Sequence, residues 1–171
     1  MISNLVDPRR SGPASGLGER AMLEGWLEFH RTTLLLKCEG LDRVQLRHRP
    51  VASSLLSLHG LVRHMADAEH LWFTRVLLSS GETRWPFCTP CEDREFVPLD
   101  DADWDRDLAS WHEECELSRD NAARFSLDDT GQWSGPERSL RWIYSHMVEE
   151  YARHNGHADL IRELVDGAVG C

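Results

Sequence analysis

The sequence predicts an all-α protein built as a four-helix bundle. Three observations carry that expectation. Apolar residues recur at three- and four-residue intervals in four long stretches, connectors rich in Gly, Pro, Asp and Ser separate them, and no stretch alternates apolar and polar residues as a strand would. At 171 residues the chain suits one domain with a sizeable core and is short for two. Residues 1–18 read as a flexible N-terminal tail, and residues 19–171 as the single domain.

The first helix is expected from about Glu19 to Glu39, with Leu23, Trp26, Leu27, Leu34 and Leu35 on one face and Gly40 as its stop. The segment Leu41–Pro50 reads as a short helical turn closed by proline. A second helix should start near Ser53 or Ser54, either of which can cap it, and run to about Ser80. Pro86, Pro90 and Pro98 break the pattern from about Gly81 to Asp100. The third helix fits Asp101 to Phe125, its early aspartates complementing the positive end of the helix dipole. The fourth fits Pro136 to Asp166 and ends at Gly167.

Lys plus Arg is 19 against 29 for Asp plus Glu, a net charge of −10 with neutral histidines. Without a basic run, that balance argues against nucleic acid or an anionic membrane surface as partner. No apolar run approaches the ~18 residues of a membrane span. Arg9-Arg10 is followed by a polar stretch and not by the apolar segment that export requires. Five irregularly spaced cysteines, Cys38, Cys88, Cys91, Cys115 and Cys171, suit reduced thiols. A cytoplasmic protein is expected.

The chemistry-bearing feature lies in the last helix. His146, Glu150 and His154 recur every four residues and form one stripe, flanked by His157. Apolar packing gives no reason for imidazole, carboxylate and imidazole in a row, whereas a divalent cation does. The second helix offers His59, His64 and His70. Of these His64 falls near the inward face, by its spacing from Leu61 and Ala68, and the other two fall nearer the polar side. The proposed metal ligands are therefore His64, Glu150 and His154, with at least one position left for water or substrate. Spacing leaves open a polar helix face or a hydrogen-bonded core histidine, and it leaves His146 and His157 as rivals. His157 can instead orient a ligand from behind, and Glu149 can pair with Arg153 at i+4.

Other motifs read more plainly. Cys88-Thr-Pro-Cys91 lacks the second pair of a zinc ribbon and the strand–helix setting of a redox motif, which favours a passive loop pair. Trp26, Trp72, Trp111 and Trp142 occupy apolar helix positions and are expected in the core, Trp72 and Trp142 also being able to line a pocket. Arg141, Arg153 and Arg162 are expected in surface ion pairs.

The runs Ser54–Phe73 and Ser139–Gly167, with the opening segment Glu19–Leu41, resemble the DinB/YfiT-like metal-binding superfamily over about residues 19–167. The resemblance implies a DinB-like four-helix bundle, often a homodimer, with one histidine on the second helix and two more spaced by four on the last. At the matching positions His64, Glu150 and His154, glutamate replaces the first histidine of the final pair. That variation resembles the mycothiol-dependent maleylpyruvate isomerase branch. It implies zinc as the metal, with nickel, iron or manganese made more competitive by the carboxylate. The function so implied is a metal-dependent thiol S-transferase using mycothiol as cosubstrate, in which a metal-bound thiolate attacks a small-molecule electrophile. A metal-dependent hydrolase using metal-bound water, with Glu149 or Glu69 as base, and a non-catalytic metal-binding stress-response bundle are the alternatives.

Overall fold

The structure is a computed structural model, and it describes residues 7–82, 84–88, 96 and 102–169. Helix α1 is Glu19–Cys38, α2 the short Arg43–Arg47 and α3 Leu58–Glu69. The last runs directly into a π-helical segment, His70–Val76. Helix α4 is Trp104–Ala122 and α5 is Leu140–Asp166. Helix α1 packs along α5 and α3 along α4, so the four long helices form the expected all-α bundle.

Local signals explain most boundaries. Ser57, not Ser53 or Ser54, caps α3, its hydroxyl accepting the Gly60 amide at 3.1 Å. Asp103 caps α4, whose first turn carries Asp105 and Asp107. Ser139 caps α5 by accepting the Trp142 amide at 3.2 Å, so this helix begins later than Pro136. Gly167 closes it at φ 79°, a left-handed position that glycine adopts without strain.

Two features were not expected. The first is a two-stranded antiparallel hairpin, β1 (Thr130–Gly131) and β2 (Arg138–Ser139). Strands of two residues are too short to show alternation. The hairpin packs so tightly on the end of the π-helical segment that a Cβ on Gly131 would sit 2.2 Å from the Val76 carbonyl oxygen. The second is the π-helical segment itself, where the Leu77 amide donates to Trp72 O and the Ser80 amide to Arg75 O, each five residues back. Of the tail, Arg9 pairs with Asp7 and Glu39, and Pro13 lies against Gly25.

The core of Leu27, Leu34, Leu61, Met65, Phe73, Trp111, Ile143 and Met147 is crossed by a polar chain that joins all four long helices. Arg31 of α1 donates from Nε and Nη2 to Glu69 of α3, at 2.8 and 2.6 Å. Tyr151 of α5 donates its hydroxyl to Glu69 Oε1 at 2.8 Å, and Trp111 Nε1 of α4 donates to Tyr151 at 3.0 Å. Burial alone would lower the Arg31 pKa, but the Glu69 carboxylate drives it well above its usual value. The guanidinium therefore stays charged in the core.

His59 and His70 are both buried, contrary to the polar placement expected from periodicity. His59 Nε2 meets Asp107 at 3.0 Å and His70 Nδ1 meets Glu114 at 3.1 Å, so α4 supplies each with a carboxylate. Trp26 and Trp142 are 40% and 39% exposed and do not belong to the core as expected, whereas Trp111 does. No described helix is long and apolar enough to cross a membrane.

Glu69→Ala removes the two-pronged buried partner of Arg31, leaves it only the half-exposed Glu28, and should cost about 3–5 kcal/mol. Replacing both partners, as in Arg31→Met with Glu69→Leu, should cost less than Glu69→Ala alone. Urea denaturation of the three proteins at pH 7 measures both effects.

Candidate metal centre

Helices α3 and α5 bring His64, Glu150 and His154 together, each contributing one ligand atom within 4.8 Å of the others. Glu150 and His154 stand one turn apart on α5, with His154 Nε2 3.5 Å from Glu150 Oε2. The His64 ring reaches across from α3 to a centroid distance of 4.6 Å from His154. The same ring stacks on Phe96 at 5.3 Å. Two imidazoles and a carboxylate at this spacing are a donor set that fits a divalent cation.

The neighbours favour the neutral imidazole that ligation needs. Burial, then the nearby His64, His157 and Arg153, pushes the His154 pKa down to about 3. His154 Nδ1 lies 3.3 Å from His157 Nδ1, so one ring donates to the other and fixes the His154 orientation. His157 thus stands behind the cluster, and not in it.

His146 forms a second group with Glu149 and Glu150. Its ring is stacked on Trp142 at 4.8 Å and set against Trp72 at 4.6 Å, with nitrogens 3.6 and 4.0 Å from the two carboxylates. Glu149 is exposed and engaged by Arg153, as expected, which makes this group the poorer cation site. Arg153 also reaches Glu150 at 3.1 Å, while Arg141 pairs with Glu19 and Asp128 and Arg162 with Asp166.

A cavity of about 310 Å³ opens beside the cluster, lined by His64, Asp67, Ala68, Leu71, Trp72, Trp85, Cys88, His146 and Glu150. Asp67 of α3 builds one wall by accepting the backbone amides of Phe87 and Cys88 at 2.9 and 2.8 Å. Sequence reasoning missed Trp85 and Cys88 as members of this site, because a proline-interrupted loop carries no periodicity, and Asp67 of α3, because its partners are backbone amides of that loop. Cys91, the other half of the expected loop pair, lies outside the described residues. Cys38 and Cys115 are buried thiols, and burial pushes Cys38 up to about 12 and Cys115 well above its usual value.

Fold and geometry together define a helical bundle with a two-histidine, one-carboxylate cluster at the mouth of a cavity. A family model described as Mycothiol-S-transferase matches residues 22–167, and the chain belongs to this DinB-like family. The match bears out the resemblance read from the His64 and Glu150–His154 segments. Neither the curated proteins nor the solved structures give a significant match.

In the metal-free protein His154 should titrate well below the ordinary 6.5 of histidine, near 3. The unfolded chain then binds the extra proton first, so stability falls as pH drops from about 6.5 towards 3. His154→Gln should flatten that part of the profile, as measured by denaturation at pH 7 and pH 4.5. A metal-free NMR midpoint near 6.5 would contradict the assignment.

Proposed function

We propose that the protein is a metal-dependent S-transferase that joins mycothiol to a small electrophile, with His64, Glu150 and His154 as the metal ligands. The observation that carries this reading is the convergence of the three ligand atoms beside a 310 Å³ cavity in a chain of the mycothiol S-transferase family. Zinc suits two imidazoles and a carboxylate, and nickel, iron and manganese are its competitors. A divalent cation held there lowers the pKa of a thiol that shares its coordination, so that the thiolate is populated near neutral pH. Three protein ligands are one fewer than a closed structural zinc site has, which leaves room for that sulfur.

The chain's own residues do the rest. His154 is held neutral and oriented by His157. The indole of Trp72, in the cavity wall, offers apolar surface to the sugar part of the thiol, while Trp142 backs His146 from outside the lining. Asp67 fixes the backbone at Phe87 and Cys88, and Cys88 lines the cavity. In the reaction the thiol gives up its proton to solvent and its sulfur bonds to the electrophilic carbon. The bond from that carbon to the leaving group then breaks with its electron pair. The buried Cys38 and Cys115 are unsuited as nucleophiles, so the protein thiol to be distinguished from a cosubstrate's sulfur is Cys88 in the cavity wall. Such a reduced thiol belongs in a cytoplasm, and the family resemblance extends the reading to a homodimer.

Purified protein should hold about one metal ion per chain, His154→Ala should lose it, and His146→Ala should keep it, as read by elemental analysis. The metal-loaded protein should conjugate monochlorobimane with mycothiol in preference to bacillithiol or glutathione, and Cys88→Ser should retain that activity. Metal retained by His154→Ala would remove the ligand assignment. Turnover without added thiol would point to hydrolysis, and bound metal without turnover to a binding protein.

A further inference from the structure

We propose that the cavity beside the metal cluster takes an uncharged aromatic electrophile, seated on Ala68, Leu71 and Trp85, and discriminates against one that carries a carboxylate. That the guest is an electrophile rests on the transferase reading; the choice of an uncharged ring does not.

His64, Ala68 and Leu71 follow one another at intervals of four and three residues, the spacing of a single helix face, and all three line the cavity. The wall therefore begins at a candidate metal ligand and continues over apolar side chains. Trp85, brought in by the loop after the π-helical segment, adds an indole to the same wall. Ala68 is the small member of the stripe, and a longer side chain there would take up the space beside His64. The cavity measures about 310 Å³. An apolar cavity of roughly 150 Å³ is enough to hold benzene, so a substituted ring has room.

The polar lining is already engaged. Asp67 accepts the amides of Phe87 and Cys88, and Glu150 faces His154 on one oxygen and Arg153 on the other. The His146 ring is stacked on Trp142 and set edgewise against Trp72. Among the described residues the lining contains two carboxylates, Asp67 and Glu150, and neither Arg nor Lys.

These facts separate the two kinds of guest. A carboxylate would give up its water, meet two like charges and find no cationic side chain in the described wall to replace what it lost. The charge of a bound cation is taken up by the thiol sulfur in the transferase reading. An uncharged ring loses little on leaving water and gains apolar contact with Leu71 and Trp85. With an aryl chloride the thiol proton goes to solvent, the sulfur bonds to the ring carbon, and chloride leaves with the electron pair of the broken bond.

The test uses zinc-loaded protein with ¹⁵N-labelled indoles and two unreactive probes of one shape, nitrobenzamide and nitrobenzoate. The amide should shift the Trp72 and Trp85 indole N–H signals saturably and bind roughly tenfold or more tightly than the carboxylate. Ala68→Leu should weaken amide binding by a similar factor while elemental analysis finds its zinc unchanged. Leu71→Arg should bring the carboxylate at least level with the amide. Carboxylate binding as tight as the amide's in the unaltered protein, whether at Trp85 or at the metal ligands, would overturn the proposal. So would undiminished amide binding by Ala68→Leu, or a preference unmoved by Leu71→Arg. Should either variant fail to fold, the contrast between the probes in the unaltered protein still decides. The reactive counterparts, chloronitrobenzamide and chloronitrobenzoate, are then offered with mycothiol, each rate being divided by its uncatalysed rate. Selective binding without transfer to either would sink the transferase reading alone, and equal transfer to both would sink this one alone.

Discussion

The carboxylate of Glu69 is the point on which the bundle turns. It accepts two hydrogen bonds from Arg31 of α1 and one from Tyr151 of α5, and Tyr151 in turn accepts from Trp111 of α4. Apolar packing tolerates helices that slide or rotate by part of a turn, because hydrophobic contact is not directional. A buried ion pair with all its partners in place does not tolerate it, since each misplaced group would be left unsatisfied in the core. One carboxylate thereby fixes the mutual register of four helices.

The candidate metal centre hangs from that register. His64 lies on α3 with Glu69, and Glu150 directly precedes Tyr151 on α5. A pair of helices locked at Glu69–Tyr151 brings His64 within 4.6 Å of His154, ring centre to ring centre. The ligands need no loop to assemble them, which keeps them rigid before any cation arrives. The cavity wall is built differently. The π-helical turn after Glu69 lets Trp72 line the cavity, Phe73 join the core and Arg75 lie under two indoles. Asp67 then ties the following loop to α3.

Much of this was legible in the sequence, and the limits are physical. The period of 3.6 residues locates long helices, and glycine or a short polar cap ends them, so α1 and the end of α5 lie where expected. The stripe of His146, Glu150 and His154 was legible because metal-ligating side chains in a row have no packing explanation. The fate of His59 and His70 was not, because their partners Asp107 and Glu114 sit on another helix more than forty residues away. Trp26 and Trp142 misled for the complementary reason: an apolar position marks a face and not whether a neighbour covers it. The π-helical turn left no mark on periodicity, and the loop that brings Trp85 and Cys88 to the cavity has none to read.

If His64, Glu150 and His154 hold a metal, its remaining position should take the sulfur of a cosubstrate. X-ray absorption at the zinc edge, recorded on the zinc-loaded protein before and after mycothiol is added, tests this directly. The first shell should contain nitrogen and oxygen alone before addition, and one sulfur at about 2.3 Å afterwards. A shell that gains no sulfur, or one that already contains sulfur without added thiol, would contradict it.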